Sequence, residues 1–170
     1  MASIRAAILI TSDKGYSGER TDRSGPALIA WLRQRSVEVA ETKILPDEAE
    51  AISATLVEWA DVLHYDLILT TGGTGVAPRD ITPEATRKVL EREIPGIGEA
   101  MRAANLSKTP FAILSRAIVG IRGYTLIVNL PGSPKGAIEN LEAVWTAIPH
   151  AMKKIQGDTG DCVPSESPKV

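Results

Sequence analysis

The sequence predicts an α/β fold whose sheet is mostly parallel and is covered by helices on both faces. Two observations lead to this prediction. Short apolar segments typical of strands alternate along the chain with segments that show helical spacing or helix-start signals. Such alternation is typical of parallel sheets joined by crossover helices. In addition, two extended segments that turn at Arg122-Gly123 predict one antiparallel hairpin.

The first part of the chain predicts two strands and one helix. Residues 4–10 are apolar and rich in isoleucine, which predicts a buried strand. A polar loop covers residues 12–23, and Ser24-Gly25-Pro26 then begins a helix, because proline suits the first helical turn. Residues 37–45 form the second strand, and because it is less apolar we expect it nearer an edge of the sheet.

The middle of the chain predicts a helix, a strand and two further helices. Pro46-Asp47-Glu48 begins the first of these helices, since acidic residues suit the positive end of the helix dipole. Its apolar residues recur at spacings of four, three and four: Ile52, Leu56, Trp59 and Leu63. Residues 66–71 form the third strand, and helices are predicted over residues 82–93 and 96–106.

The last part of the chain predicts the hairpin, a helix and a tail. Residues 111–121 and 124–130 are the two extended segments of the hairpin. The last helix, which we expect to bend at Pro149, carries the apolar residues Ile138, Leu141, Trp145, Ile148 and Met152. We therefore predict a single domain over residues 1–157 and a disordered tail over residues 158–170, which are polar and contain few core residues.

The composition argues against several classes of function. A chain of 170 residues is long enough for one domain with a sizeable core. Its formal net charge of −2 gives no overall attraction to nucleic acid or to a membrane surface. No segment has the length of a membrane span or the pattern of a signal peptide, so we expect a cytoplasmic protein. The single Cys162 excludes an internal disulfide and a cysteine-based metal cluster.

Polar residues cluster where the predicted strands end. Thr11-Ser12-Asp13 ends the first strand, Pro46-Asp47 follows the second, and the segment LTTGGTGVAPRD (residues 69–80) contains the end of the third. Residues 129–134, with the sequence NLPGSP, end the last strand. Ligands of open parallel sheets bind outside the carboxyl ends of the strands. We therefore predict that these four loops form one binding site.

The glycine-rich segment does not match the familiar nucleotide motifs. Val76 and Ala77 follow Gly75 where a Walker A loop needs lysine, and Pro78 stands where the dinucleotide fingerprint needs its third glycine. A nucleophile elbow is excluded too, because Pro131 replaces its first glycine. Backbone N–H groups, hydroxyls, helix N-termini and carboxylates remain. This set suits phosphates that N–H groups hold and a divalent cation neutralises.

Each candidate residue also has a simpler structural explanation. The three glycines of residues 72–75 can form a tight turn, and Asp47 can be a carboxylate at a helix N-terminus. Asp80 can cap the helix that follows, and residues 131–134 can be a turn only. Ser12 and Asp13 can simply form a turn in a loop, and Arg116 and Arg122 can be surface charges. The residues alone therefore indicate a phosphate-binding α/β protein without a named substrate.

Five segments together carry a resemblance to a known family. They are TTGGTGVAPRDITPEAT (70–86), DRSGP (22–26), LPDE (45–48), LSRAIVGIRG (114–123) and NLPGSP (129–134). In this order, they resemble the molybdopterin-binding MogA/MoaB family, which includes the G domain of gephyrin. The resemblance runs from about residue 4 to residue 156. It implies a three-layer α/β/α sandwich that assembles as a homotrimer.

The resemblance also implies an activity, namely molybdopterin adenylyltransferase in molybdenum cofactor biosynthesis. Such an enzyme uses Mg²⁺ and ATP to adenylylate molybdopterin and releases pyrophosphate, and a molybdenum-insertion protein is a candidate partner for the next step. Asp47 and Asp80 are then the catalytic carboxylates, assigned to placing Mg²⁺ against the phosphates. The candidate residues for binding molybdopterin and nucleotide are Ser12, Asp13, Thr71, Gly72, Gly73, Thr74, Gly75, Ser115, Arg116, Pro131, Gly132 and Ser133.

Two other functions stay open at the level of sequence. A member of the same family can bind molybdopterin without transferring AMP, or can act in a related tungsten or molybdenum pathway. A flavodoxin-like or nucleotide-dependent oxidoreductase has the same kind of fold, although the dinucleotide fingerprint is missing and carboxylates cluster at the predicted site. Pterin binding without ATP-dependent release of pyrophosphate would indicate the first alternative, and a bound flavin would indicate the second.

Overall fold

The computed structural model describes residues 4–160 and contains one mixed sheet with helices on both faces. Its strands are β1 (Arg5–Thr11), β2 (Glu38–Leu45), β3 (Leu67–Thr71), β4 (Arg92–Glu93), β5 (Val119–Arg122) and β6 (Thr125–Leu130). Their order across the sheet is β2-β1-β3-β6-β5-β4. The first four in this order are parallel, whereas β5 pairs antiparallel with both β6 and β4. The predicted fold class is confirmed, and β2 lies at an edge as expected.

Seven α-helices and two other helical turns connect these strands within residues 4–160. The helices are α1 (Asp13–Tyr16), α2 (Ser24–Arg33), α3 (Ala49–Val57), α4 (Thr82–Arg87), α5 (Pro95–Leu106), α6 (Pro134–Val144) and α7 (Ala147–Ile155). A π-helical turn, Glu58–Val62, continues α3, and a 3-10 turn, Pro110–Leu114, lies between α5 and β5.

The sheet separates two apolar cores because successive residues of a strand point to opposite faces. On one face, Ile8 and Leu69 pack in the core that α2, α5, α6 and α7 cover. On the other face, Leu9 and Ile68 pack in the core that α3 and α4 cover. The three layers that the sequence resemblance implied are therefore present. Helix α2, which follows β1, and helix α4, which follows β3, cover opposite faces of the sheet.

Two predicted helix boundaries near the site are wrong. The helix expected from residues 46–48 begins only at Ala49, so Asp47 lies in the loop before it. The loop over residues 12–23 contains the single helical turn α1, because the Ser12 hydroxyl accepts a hydrogen bond from the Gly15 N–H and caps that turn. The first correction moves Asp47 from a helix into the loop after β2, and the second places Asp13 in a helical turn directly after β1.

The helix predicted over residues 82–93 is too long, since α4 ends at Arg87. The chain then turns toward the sheet, where the Glu91 N–H donates to the carbonyl of Ile121 and the Ile94 N–H to that of Val119. These bonds satisfy the free edge of β5, and Arg92–Glu93 becomes the short strand β4. Pairing with the sheet therefore overrides the helical tendency of this segment.

The extended segment predicted over residues 111–121 is extended only in part. Residues Pro110–Leu114 form the 3-10 turn, and strand β5 does not begin until Val119. The Thr109 hydroxyl accepts a hydrogen bond from the Phe111 N–H and so caps this turn. Proline is favourable at the start of a helical turn, where its missing N–H would have no partner.

The last predicted helix is divided into α6 and α7, and the break precedes the expected bend at Pro149. Proline has no N–H to bond the carbonyl of Trp145, four residues earlier, and its ring clashes with that carbonyl. Helix α6 therefore ends at Val144. The described chain ends at residue 160, so the disorder predicted for the tail lies almost entirely outside the described residues. Between residues 4 and 160, no helix is long and apolar enough to cross a membrane.

Candidate functional site

The loops that follow β1 and β3 diverge, because these neighbouring strands connect to helices on opposite faces of the sheet. Such a divergence leaves a crevice at the carboxyl ends of the strands. A cleft of 1050 Å³ lies there, and the loops after β1, β2, β3 and β6 all contribute to its lining. We refer to the loops of residues 11–13, 46–47 and 71–80, each of which contributes some of the lining residues, as the loop end. The part formed by Asn105, Phe111 and Glu139 is the helix end.

The glycines of the loop end are required by close contacts within the protein itself. Gly72 has a φ of +112°, and a Cβ atom there would lie 2.1 Å from the carbonyl oxygen of Thr11. Gly73 has a φ of +59°, and its Cβ would lie 2.3 Å from the Thr82 hydroxyl and 3.1 Å from Asp47 Oδ1. Only glycine fits both the conformations and the contacts. The tight-turn explanation therefore accounts for these two glycines without a ligand.

Hydroxyl groups bind the loops to one another. Thr71 Oγ1 donates to the carbonyl of Pro131 at 2.7 Å, and Ser24 Oγ donates to the carbonyl of Gly132, also at 2.7 Å. The hydroxyls of Thr11 and Thr82 share a hydrogen bond of 2.9 Å. These bonds join the loops after β1, β3 and β6 into one framework. The floor of the cleft is consequently fixed before any ligand binds.

Asp47 is held in position by a reciprocal pair of hydrogen bonds. Its Oδ2 accepts from the Asp13 N–H, and its own N–H donates to Asp13 Oδ1, each at 3.0 Å. Asp13 in turn binds Arg79 through two contacts, of 2.6 Å to Nε and 2.8 Å to Nη2. Asp47 Oδ1 is buried and has no hydrogen-bond partner among the described residues.

The two neighbouring aspartates have opposite pKa shifts. Burial raises the pKa of Asp47, although the hydrogen bond from the Asp13 N–H opposes the shift. The hydrogen bond from Arg79 lowers the pKa of Asp13, and the bond from the Asp47 N–H lowers it further. Asp13 is thus a firmly ionised structural carboxylate, whereas Asp47 gains from any cation that approaches its free oxygen. The charge of Asp80 also raises the pKa of Asp47, which indicates that the two candidate catalytic carboxylates are near one another.

Asp80 lines the cleft but does not cap helix α4. The N-cap position of α4 is Ile81, and no side chain bonds the helix N-terminus there. Asp80 Oδ2 instead accepts from the Ala77 N–H at 2.8 Å and closes the turn after the glycines. A Cβ on Gly75 would lie 2.8 Å from the same oxygen, so this glycine leaves room for the carboxylate. The cap that the sequence left open as an explanation of Asp80 is therefore wrong.

The structure separates the remaining candidates into two groups. The candidates that line the cleft are Ser12, Thr71, Gly72, Gly73, Thr74, Gly75, Ser115, Pro131, Gly132 and Ser133. Ser133 also caps α6, where its hydroxyl accepts from the Gly136 N–H. Asp13 and Arg116 are not among the lining residues, and their contact with a ligand stays a prediction. The Arg116 guanidinium instead bonds the carbonyls of Gly75 and Asp80 and the carboxylate of Glu84.

Arg116 stabilises the glycine loop by hydrogen bonds to its backbone carbonyls. Its Nε donates to the Gly75 carbonyl at 2.6 Å, and its N–H donates to the Thr74 carbonyl at 2.8 Å. Its side chain lines a smaller groove of 390 Å³ together with residues 76–78 and 80–81. Arg122, the other arginine of uncertain role in the sequence, forms a bidentate ion pair with Asp61. Neither guanidinium is free to act as a phosphate clamp in the cleft.

Sequence reasoning missed several residues of the cleft. Asp22 accepts the N–H groups of Ser24 and Gly25 at the start of α2, and the motif DRSGP (22–26) was the available signal for it. Arg79, which does not line the cleft but binds Asp13 through two hydrogen bonds, was also missed. Asn105, Phe111 and Glu139 come from segments that the sequence assigned to a helix or a strand, and only packing brings them to the helix end.

The charges of the lining do not by themselves suit an anion. Acidic side chains outnumber arginines among the lining residues: Glu19, Asp22, Asp47, Asp80 and Glu139 against Arg20 and Arg23. Among residues 4–160, no group of three or more His, Cys, Asp or Glu side chains could hold a metal ion alone. An anionic ligand would therefore meet net repulsion from these carboxylates unless a cation accompanied it.

The fold and this cleft define a class: an α/β protein with a polar ligand site at the carboxyl ends of its parallel strands. Residues 7–150 match the family described as "Probable molybdopterin binding domain". This match covers most of the chain, so the chain belongs to that family.

Similar proteins and solved structures also support the assignment to this family. The molybdopterin adenylyltransferase of Helicobacter pylori strain J99 is 44% identical over 160 residues, which are 93% of this chain and 91% of the relative. The crystal structure of the molybdopterin biosynthesis enzyme MoaB from Thermus thermophilus is 54% identical, with a TM-score of 0.87 over 91% of this chain and 98% of that one. The tungsten cofactor synthesizing protein MoaB from Pyrococcus furiosus is 33% identical, with a TM-score of 0.82 over 92% and 99%.

Proposed function

We propose that this protein is a molybdopterin adenylyltransferase of molybdenum cofactor biosynthesis. It binds molybdopterin and ATP in the 1050 Å³ cleft and forms adenylylated molybdopterin with release of pyrophosphate. The observation that carries the proposal is the 44% identity, nearly end to end, with a relative named for this activity. The polar cleft at the carboxyl ends of the strands supports it, because its size suits two substrates of this kind.

The loop end fits a magnesium ion. Asp47 Oδ1 is a buried carboxylate oxygen without a partner among the described residues, and Asp80 lines the same cleft. Magnesium prefers such hard oxygen ligands and is commonly held by one or two carboxylates together with substrate phosphates and water. We therefore assign the ion to Asp47 and Asp80. When bound, it would neutralise the charge that develops on the phosphates during transfer.

The protein groups contribute mainly by positioning. The terminal phosphate of molybdopterin must attack the α-phosphorus of ATP in line with the departing pyrophosphate, and binding both substrates in one cleft favours this geometry. Backbone N–H groups of residues 73–75 and the N-terminus of α6 are the available donors for phosphate oxygens, whereas the Gly72 N–H already donates to the Leu130 carbonyl. Because interloop hydrogen bonds fix these backbone groups, little reorganisation is needed when substrates bind.

The binding roles of the individual lining residues belong to the same proposal. Ser12 and Thr71 offer hydroxyl oxygens beside the phosphates, although both already make hydrogen bonds within the protein. Ser115 and residues 131–133 are assigned to molybdopterin or its phosphate. Asp13 acts through Asp47, which it positions, and Arg116 acts through the glycine loop, which it braces.

Assembly, location and partners are further parts of the proposal. We expect a homotrimer in the cytoplasm, which passes its product to a molybdenum-insertion protein. The family resemblance of the sequence motifs supports the trimer and the partner, and the ATP requirement is consistent with a cytoplasmic location. Sedimentation at micromolar concentration measures the assembly directly, and a single monomeric species would contradict the trimer.

The activity is tested by incubating the purified protein with molybdopterin, α-phosphate-labelled ATP and Mg²⁺. We expect labelled, adenylylated molybdopterin and an equal amount of pyrophosphate, and neither product when Mg²⁺ is replaced by a chelator. Molybdopterin binding without release of pyrophosphate would contradict the transferase and indicate the binding-only alternative. A flavin that copurifies with the protein would contradict both.

A further inference from the structure

The turn of residues 75–80 carries Asp80 and separates two openings of the surface. Val76 and Asp80 line both the cleft and the smaller groove that Arg116 also lines. Residues 76–79 are exposed, so burial in the apolar cores does not fix the turn. Its conformation, and with it the position of the Asp80 carboxylate, therefore depends on hydrogen bonds and ion pairs.

The hydrogen bonds within the turn close it but do not fix its position in the protein. Asp80 Oδ2 accepts from the Ala77 N–H at 2.8 Å, and the Asp80 N–H donates to the Ala77 carbonyl at 2.9 Å. The ion pair of Arg79 with Asp13 leads out of the turn, but the Arg79 side chain is 59% exposed, and exposed pairs contribute little to stability. A link to a more rigid part of the protein comes from Arg116.

The Arg116 guanidinium binds the first and the last residue of the turn at once. Its Nε donates to the Gly75 carbonyl at 2.6 Å, and its Nη2 donates to the Asp80 carbonyl. Its Nη1 binds the carboxylate of Glu84 in the first turn of α4. Because a guanidinium is planar and its N–H groups have fixed directions, these bonds fix the spacing between the two carbonyls. A lysine ammonium, which is a point charge on a flexible stem, imposes no such spacing.

The backbone of Arg116 is itself anchored to the rest of the protein. Its N–H donates to the Thr74 carbonyl at 2.8 Å. Arg102 of α5 donates from Nη1 to the carbonyls of Ser115 and Ala117, the residues on either side, at 3.3 and 3.0 Å. Two arginines therefore connect the turn to helix α5.

Arg122 makes the same kinds of contact at a place without candidate metal ligands. It forms a bidentate ion pair with Asp61, with contacts of 2.9 and 2.6 Å, and its Nη1 donates to the Val89 carbonyl at 2.9 Å. None of these three residues lines the cleft. Arg122 is therefore a matched control for what such a guanidinium contributes to the fold alone.

We propose that Arg116 is a positioning residue for the divalent cation of the site. By binding the carbonyls of Gly75 and Asp80 together, it sets where the Asp80 carboxylate lies relative to the glycine loop. It thereby sets the affinity for the ion that Asp80 shares with Asp47. The inference rests on the proposed function, in which these two aspartates hold Mg²⁺. The guanidinium itself is engaged by three protein oxygens, so it acts on transfer through the Asp80 carboxylate.

The first test compares Arg116→Lys with Arg122→Lys and uses the metal alone. Mn²⁺ replaces Mg²⁺, because both prefer oxygen ligands and bound Mn²⁺ can be followed by electron paramagnetic resonance. We expect the Kd for Mn²⁺ to rise roughly tenfold or more in Arg116→Lys and to stay within about twofold in Arg122→Lys. Both variants should lose a little stability in thermal unfolding, so only the difference in Mn²⁺ affinity separates positioning of the ligand from support of the fold.

Arg116→Gln, which keeps an amide donor for a single carbonyl, is the second variant and should weaken Mn²⁺ binding as much as Arg116→Lys does. An unchanged Kd in a folded Arg116 variant would overturn the proposal. A wild-type protein that binds no Mn²⁺ would also overturn it, because the turn would then hold no metal ligand.

Glu84→Gln separates the two kinds of bond that Arg116 makes. The substitution removes the charge of the ion pair but leaves the guanidinium on both carbonyls. We expect the Kd for Mn²⁺ to change by no more than about threefold, since this ion pair is partly exposed. A loss as large as in Arg116→Lys would contradict the assignment of positioning to the carbonyl bonds.

The last test asks whether Arg116 acts through Asp80. Asp80→Asn already removes the charged ligand, so the addition of Arg116→Lys should weaken Mn²⁺ binding no further, whereas independent effects would multiply. A double variant that binds Mn²⁺ more weakly still, by the full factor of Arg116→Lys alone, would show that Arg116 does not act through Asp80.

Transfer assays on the same preparations keep the two proposals apart. If the wild-type protein forms no adenylylated product yet Arg116→Lys binds Mn²⁺ more weakly, the proposed function fails while the positioning role stands. If the wild-type protein is an active transferase and Arg116→Lys keeps the wild-type Kd for Mn²⁺, the positioning role alone is wrong.

Discussion

At the loop end of the cleft, backbone turns and carboxylates lie in direct contact, whereas at the helix end single side chains project from packed helices. The loop end has glycines that tolerate no Cβ and an aspartate whose Oδ1 is free. The helix end has an exposed phenyl ring and a buried amide oxygen. The first arrangement suits phosphates with a cation, and the second suits a flat ring. This difference between the two ends suggests how one cleft can fix the orientation of two substrates that each carry a phosphate and a heterocycle.

The largest expected effect is on folding and comes from the glycine loop. In Gly72→Ala the new Cβ would meet the Thr11 carbonyl oxygen at 2.1 Å, so the strand ends must separate. We expect a loss of roughly 2–5 kcal/mol in the free energy of unfolding, from backbone strain and overpacking together. The matched control is Gly123→Ala, at a φ of +54° with no atom within 4 Å of the added Cβ. It should cost only about 1–2 kcal/mol of strain.

Denaturant unfolding of both glycine variants distinguishes the two causes. If Gly72→Ala costs no more than Gly123→Ala, the contact with Thr11 does not constrain the loop. The account of the loop end as an internally fixed framework would then be wrong.

A smaller effect is expected when Arg79, which positions Asp47 through Asp13, is replaced. Arg79→Met removes the bidentate contact with Asp13, which exchanges two hydrogen bonds with Asp47. We expect AMP transfer to fall roughly tenfold and half-saturation by Mg²⁺ to shift upward, as for loss of a group that orients a metal ligand. Arg79→Lys should restore part of the Mg²⁺ affinity. Stability should change little, since the ion pair is exposed.

Titration with Mg²⁺ at saturating ATP measures this shift. An unchanged Mg²⁺ dependence in Arg79→Met, together with normal activity, would show that Asp13 and Arg79 only close a surface turn.

The pH dependence of stability separates the two aspartates. Burial raises the pKa of Asp47 above its ordinary value of 3.8. The folded state therefore keeps this proton to a higher pH than the unfolded state does. As a result, the stability of the fold falls as pH rises from 3.8 through the raised pKa. Asp47→Asn has no such loss. Its melting temperature relative to wild type should therefore increase between pH 3.5 and pH 7, measured by thermal unfolding at both values.

Asp13 should show the opposite pH dependence in the same measurement. Its pKa is lowered, chiefly by the bond from Arg79, so its contribution is present above pH 3.8 and is lost only as pH falls through the lowered pKa. Asp13→Asn should thus lose stability relative to wild type at pH 7 and approach it at low pH. Parallel pH profiles of the two variants would contradict the opposite shifts.

The smallest expected effect concerns the C-terminal segment. Removing residues 159–170 should leave melting temperature and transfer activity nearly unchanged, because the sequence there lacks periodic apolar residues. Truncated and full-length proteins are compared by thermal unfolding and by the transfer assay. A lower melting temperature in the truncated protein would show that this segment stabilises the domain.

The sequence was sufficient to predict the parallel half of the sheet and the strand-end loops that line the cleft. Strands such as β1 and β3 are continuous apolar runs buried on both faces, and their polar ends fall at one edge by the geometry of parallel strands. The segment over residues 88–93 could not be predicted, because its place as β4 depends on carbonyl groups of β5 that lie far away in sequence. The secondary-structure propensity of residues 88–93 contains no information about the unpaired edge of β5.

Polar residues of the cleft could be recognised in the sequence only where they lie in loops. Asp47 and Asp80 follow strand ends and glycines, which the sequence displays directly. Asn105 and Glu139 lie on helices, and nothing in helical spacing distinguishes them from other polar positions. Their place in the cleft depends on the packing of α5 against α6, which is a property of the folded chain.

The central claim, that carboxylates at the loop end serve transfer while the pterin binds elsewhere, is tested most directly with Asp80→Asn. Molybdopterin affinity, melting temperature and AMP transfer are measured on the same preparation. We expect transfer to fall at least about 100-fold, since a charged metal ligand is lost. Molybdopterin should bind as well or better, because a negative charge near its phosphate is removed. The melting temperature should hold, since asparagine still accepts from the Ala77 N–H. An Asp80→Asn protein with normal transfer activity would contradict the claim.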